Sequence, residues 1–291
     1  MSAGNQGVIM TTPLSLNETQ ARAVSAGSAS AHGRREWRPV FSMLLAWPVP
    51  FVLLALWWLG TEQNWISAQT LPPPTQVFDT LLTMLHTGEA WRHLAVSLQR
   101  VFGGFALGAG AGLLIGFGMG LSNIIRELLY PAFRMLACVP LLGWLPLLML
   151  LLGIDETLKI VLIAKAALIP VTLNTYQGLR NVPPSYLELA RVYRFGYGQR
   201  LWRVLLPAAL PAIWSGLRYG LTHCWLVLVL VELLASSEGL GYLMSNGQQL
   251  MQMDVLLAAV IIVGTVGFSL DKLLEATERH LLRWRQQAFA S

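Results

Sequence analysis

"VFGGFALGAGAGLLIGFGMGL", from Val101 to Leu121, carries no charged side chain over its 21 residues. A helix crossing the hydrocarbon core of a bilayer needs roughly 20 mostly apolar residues, so this stretch alone reads as a membrane span. Within it Gly104, Gly108, Gly112, Gly116 and Gly120 recur at every fourth position. On an α-helix that interval draws one slowly drifting ridge, along which a second helix can approach closely. A nucleotide-binding reading of these glycines fails, because no strand precedes them and their spacing is not that of the dinucleotide fingerprint. They are read as helix-packing positions.

The rest of the chain agrees with a membrane setting. With 55% hydrophobic and 12% charged residues among 291 and a mean hydropathy of +0.55, it is too apolar for an ordinary soluble domain. Apolar runs at 40–60, 132–152, 159–178, 208–234 and 254–273 join 101–121 to make six expected spans. An even number places both termini on one side. Arg34, Arg35 and Arg38, then Arg126 and Arg134, then Arg180, Arg191, Arg194, Arg200 and Arg203, then Lys272, Arg279, Arg283 and Arg285 fall in alternate segments. The opposite connections "GIDE" and "SSEGLGYLMSNGQQLMQMD" hold acids but neither Lys nor Arg. By the positive-inside rule the arginine-rich side, with both termini, is cytoplasmic. The net charge of +5 therefore reports topology, and a nucleic-acid partner is excluded.

Residues 1–33 are polar and lack a hydrophobic period, which predicts a disordered cytoplasmic tail ahead of a permease domain at 34–291. The first apolar run begins too far from the start for a signal peptide, so the first helix is expected to be retained. Cys138 and Cys224 lie in apolar segments and are read as packed side chains; no metal site is expected. After the prolines at 72–74, Thr75 is expected to cap an interfacial helix with Val77, Leu81 and Leu85 on one face.

One stretch breaks the pattern. "ELARVYRFGYGQRLWRVLLPAALP", from Glu188 to Pro211, is basic and amphipathic. Tyr186, Leu189, Ala190 and Tyr193, then Leu201, Val204 and Leu205, recur at helical spacing, with arginines on other faces. Ser185 three residues before Glu188 matches a capping box. Gly196 and Gly198 are expected to break the helix, with a second short helix from 199 to 206 and Pro207 and Pro211 at the entry to the fifth span. Such a pair on the cytoplasmic face needs a cover, and lipid headgroups or a protein partner would both serve.

Glu188, Ala190 and the pair Leu206–Pro207 resemble the EAA loop of ABC importer permeases, in which Glu-Ala-Ala is followed by Gly, an aliphatic residue and Leu-Pro at fixed intervals. Val204 takes the aliphatic place. Leu189 replaces one alanine and Arg194 stands where the glycine is expected, so the bend is placed two residues later, at Gly196. From about 71 to 285 the chain is similar to the aliphatic sulfonate, taurine, nitrate and bicarbonate branch, through "LPPPTQVFDTL", "PLLGWLPLLMLLLGID" and "ELLASSEGLGYLMSNGQQLMQMDVLLAAVII". The resemblance implies an all-α membrane protein of the type I importer fold: six transmembrane helices and cytoplasmic coupling helices at 183–206. It further implies a bacterial inner-membrane homodimer with two cytoplasmic ATP-binding subunits, an extracytoplasmic binding protein and surrounding membrane lipid as partners. ATP and Mg would be bound by the ATPase subunit and no cofactor by this chain. No G-x-x-x-x-G-K-[ST] occurs, which agrees with a transport subunit that is not itself an enzyme. Glu188, Ala190, Tyr193, Gly196, Leu201, Trp202, Leu206 and Pro207 are the expected ATPase-coupling residues.

Charged groups inside spans are costly and mark function by default. Lys165, Arg218 and Glu232, with Asn174 and Trp144, are the translocation-pathway candidates. Lys165 is the one to attract an anion, Arg218 a gate or helix-to-helix tie, and Glu232 alternatively a partner of Lys165. His93 and His280 read as solvated. The external "ASSEGLGYLMSNGQQ" looks closest to the sulfonate type of this branch, so the resemblance implies an aliphatic sulfonate as substrate, with taurine, nitrate, bicarbonate or a thiamine precursor as alternatives. An ion-coupled carrier would need paired broken helices in repeated halves, and a membrane enzyme a cluster of reactive side chains; the sequence offers neither pattern.

Overall fold

A computed structural model describes residues 48–281 except 64, 66 and 68. The expected 1–33 tail and the start of the first expected span lie outside the described residues. Helix α1, Pro48–Glu62, is apolar, and the boundary between two compact units, after Leu59, falls within its last turn. The second unit begins at Gly60.

In that unit the proline block opens α2, Pro74–His86, with Pro73 as the capping residue and Pro74 in the first turn, where a missing N–H costs nothing. Thr75, the expected cap, is one position inside the helix. Val77 and Met84 are buried. The long α3, Glu89–Leu121, is followed by α4, Asn123–Cys138, and α5, Leu141–Leu152. Helix α6 is Glu156–Arg180 and α7 is Pro184–Val192. After α8, Tyr197–Arg200, one π-helical turn at Leu201–Leu205 leads into α9, Leu206–Ala235. Helices α10, Leu240–Gln249, and α11, Met253–Leu281, complete the described chain.

The core is α6 held between α3 and α9. All five ridge glycines of α3 face α6. A Cβ on Gly108 would stand 2.0 Å from the Ala164 carbonyl oxygen, and one on Gly104 2.7 Å from Ile163. Gly112 meets Leu168 and Val171, Gly116 meets Thr172 and Thr175, and Gly120 meets Leu179. Gly103 and Gly110, off the ridge, have open space. Close backbone approach lets main-chain and small side-chain atoms pack where bulkier residues would hold the helices apart. A shorter ridge on α9, Gly216 and Gly220, receives Asn174 and Val171 of α6, Val171 reaching both ridges.

The expectation of six spans is corrected. By length and apolar composition three described helices can cross a membrane, at Glu89–Leu121, Tyr197–Ala235 and Met253–Leu281, or four if α4 and α5 count as one broken span. Those two meet at a 97° bend. Pro140 causes it: the residue before a proline is driven out of the helical region, and Val139 is extended with ψ 117°. The run 132–152 is therefore no continuous rod. Helix α6, expected as a span at 159–178, is wrapped by α3 and α9 and buries residues on most of its faces, Lys159, Thr172 and Thr175 among them.

Candidate functional site

The loop between α6 and α9 is built by a specific helix ending. Phe195 N–H donates to Ala190 O at 3.0 Å and Arg194 N–H to Arg191 O at 2.9 Å, the paired bonds of a Schellman motif. Arg194 is its left-handed residue, with φ 51°. The bend thus falls at Arg194 and not at Gly196, which caps α8 in an extended conformation while its N–H donates to Gln199 Oε1 at 3.2 Å. Nor does Ser185 cap α7: Pro183 holds that place. Ahead of Pro207 the backbone widens into the π turn, with Leu206 N–H reaching Leu201 O. A regular α-helix would drive the Pro207 ring into the carbonyl four residues back, and the wider turn relieves that clash.

This geometry turns apolar side chains outward. Tyr186, Leu189, Val192, Tyr193, Tyr197 and Trp202 are each more than half exposed. Glu188 is exposed and makes no polar contact among the described residues, Ala190 is buried and Leu201 half-buried. Leu206 packs against Leu179, Ala209 and Ile213, tying the loop to the bundle, and Pro207 lines a cavity. That cavity, about 730 Å³, is also lined by Asn174, Gln177, Tyr186, Arg203, Ser215 and Glu278.

The pathway candidates do not converge. Glu232, 0% exposed, pairs with Arg100 and not with Lys165. Arg100 Nη1 donates to it at 2.7 Å, Ser97 Oγ at 2.9 Å and Gly241 N–H at 3.0 Å. Arg100 also reaches Glu156 at 2.6 Å and the Glu238 carbonyl at 2.6 Å, while Lys159 joins Glu156 at 2.7 Å. His93, expected to be solvated, is 2% exposed and accepts the Gly239 N–H at 3.0 Å. The cluster clamps the turn Ser236–Leu240 onto α3 and α9. Gly239 is required there: its φ is 115°, and a Cβ would lie 2.3 Å from the Glu232 carboxylate.

Arg218 ties α9 to α11 through Asp271 at 3.0 Å and Glu278 at 3.0 Å. Asn174 Nδ2 donates to Pro170 O at 2.8 Å on the side of α6 that faces Gly216. Lys165 lies on another face, with Nζ 4.7 Å from the centroid of the Trp144 ring on α5. Sequence reasoning missed Ser97, Arg100, Glu156, Lys159 and His93 as one cluster; acids in "GIDE" and "SSEGLG" facing a span that ends on arginine were the available signal.

An all-helical bundle of apolar helices, interrupted by an exposed basic helical pair that enters α9 through Leu-Pro, defines the permease class of ABC importers. The chain belongs to the family of binding-protein-dependent transport system inner membrane components, whose model matches residues 108–283. It is a multi-pass protein of the bacterial inner membrane. Among its relatives is the aliphatic sulfonates transport permease protein SsuC of Bacillus subtilis (strain 168), 39% identical over 93% of this chain and 95% of that one. The taurine transport system permease protein TauC of Escherichia coli (strain K12) is 36% identical over 87% of this chain and 95% of its own length. A crystal structure of an amino acid ABC transporter with histidines shares the fold, with a TM-score of 0.52 at 20% identity over 69% of this chain and 98% of that one.

Proposed function

We propose that this chain forms the translocation pathway for a small organic anion, an aliphatic sulfonate, delivered by a separate binding protein. The observation that carries the coupling part is the outward apolar face of α7, α8 and the π turn. Side chains such as Tyr193 and Trp202, more than half exposed on a loop, are stable only under a cover. A groove on a cytoplasmic ATP-binding subunit is that cover. Two such subunits, closing on ATP and Mg, would drive the helical pairs of two copies of this chain as levers and shift the pathway between its two access states. The arginine-rich side, with both termini, is then cytoplasmic, and the Arg100 cluster lies at the outer end. Exposed apolar residues of α11, including Val260, Ile261 and Phe268, meet lipid or the second copy. The sulfonate reading rests on likeness to a relative named for aliphatic sulfonates transport. Taurine, nitrate, bicarbonate and a thiamine precursor remain alternative cargoes for the same role.

Affinity purification of the tagged chain co-expressed with its ATP-binding subunit, followed by mass determination, tests the coupling. Two copies of each chain are expected, with the ATPase lost on Glu188→Ala or Tyr193→Asp while membrane insertion is retained. Full complex yield and uptake from both variants would reject the docking role. Equilibrium binding of ethanesulfonate, taurine and nitrate to the partner binding protein tests the cargo separately.

A further inference from the structure

We propose that Lys165 and Trp144 form a holding site for the transported anion within the bundle, an inference that rests on the proposed function above. Arg100, Lys159 and Arg218 each stand within 3.0 Å of a carboxylate. Lys165, six residues and roughly 9 Å along α6 from Lys159, does not. Among the described residues its ammonium makes neither an ion pair nor a hydrogen bond; it rests over the Trp144 ring, 4.7 Å from the centroid. The indole Nε1 of Trp144 is itself buried without an acceptor.

Magnitudes show that the ring does not satisfy this lysine. A cation–π contact returns less than an ammonium loses when it leaves water without a counter-ion, so the ring alone leaves the charge uncompensated. The charge lacks its counter-ion and the indole its acceptor. An ammonium and an indole N–H can only donate, so the group they fit is one that only accepts and carries negative charge. A sulfonate meets both conditions, with its charge spread over three oxygens and no proton to donate. A neutral polar solute would leave the ammonium charge unbalanced. Lysine also suits a transit point: it is a compact charge on a flexible stem, and passage requires an anion to be held and then released.

The test uses proteoliposomes holding the assembled permease, its ATP-binding subunits and its binding protein, with radiolabelled ethanesulfonate as probe. Anion delivered per ATP hydrolysed is the readout. Lys165→Met should lower that ratio about tenfold or more, the size of a lost charged hydrogen bond. Lys165→Arg should keep most of it, and Trp144→Phe, which keeps a ring but loses the N–H, should fall about threefold. A wild-type ratio from Lys165→Met or Trp144→Phe overturns the site. So does loss of assembly in both Lys165→Met and Lys165→Arg, which would assign the lysine to folding. If only Lys165→Met fails to assemble, Trp144→Phe decides. If the parent complex carries nitrate and not ethanesulfonate, the sulfonate reading fails and the same variants judge the site with nitrate. A parent that carries neither anion overturns the proposed function and the site with it.

Discussion

At Arg194 the main chain takes φ 51°, a region that costs an L-residue roughly 1–2 kcal/mol. The EAA pattern asks for glycine at this very position, and the left-handed turn explains why. The sequence reading let Gly196 and Gly198 decide the break, because glycine is the usual helix stop. The Schellman bonds of Arg194 and Phe195 overrule that local preference. Arg194→Gly should therefore stabilise the loop by about 1 kcal/mol net of the added freedom of the unfolded chain. Slower amide exchange over residues 190–196 would report it; faster exchange would mean that the arginine side chain stabilises the turn. A second residue-scale effect lies at Arg100. Removing it as Arg100→Met leaves Glu232 charged, buried and unpaired, at a cost of about 3–5 kcal/mol. The double variant Arg100→Met/Glu232→Leu should recover much of that loss. Thermal unfolding of the four proteins in one detergent closes the cycle, and additive losses would show that the pair is not coupled. Neither Arg100 nor Glu232 announces the other in sequence, since 132 residues separate them.

At the scale of elements, what is periodic was legible and what depends on a distant partner was not. The ridge on α3 could be read from its four-residue interval, though the sequence did not reveal that its partner is α6. Of the six expected spans, three are long and apolar enough among the described residues: Pro140 breaks one apolar run, the start of another lies outside the described residues, and α6 carries polar groups that its helical neighbours bury. The ridge gives a sharp comparison between two glycines of one turn. Gly108→Ala puts a methyl 2.0 Å from the Ala164 carbonyl oxygen, a main-chain atom held by its own helix. That overpacking should cost about 1–3 kcal/mol. Gly110→Ala meets nothing within 4 Å and should be neutral or slightly stabilising. Unfolding midpoints of both variants check it, and equal midpoints would mean that α3 and α6 can separate without loss.

For the whole molecule, α9 joins the two places where the sequence departs from a simple apolar helix. Its first turn continues from the exposed loop through the π turn, and its last turns carry Glu232 into the Arg100 cluster. Arg218 between them ties α9 to α11. A force applied to the loop reaches the bundle through this helix only if the π turn acts as a rigid joint. Deleting Trp202 should remove the extra residue of the π turn, rotate the loop by about 100° against α9 and bring back the Pro207 clash as a kink. Trp202→Ala removes the same side chain but keeps the turn. The deletion should then abolish uptake and the stimulation of ATP hydrolysis by loaded binding protein, with membrane insertion intact, while the alanine variant keeps part of both. Equal activity in the two would place the joint elsewhere on α9, with Pro211 inside that helix as the next place to cut.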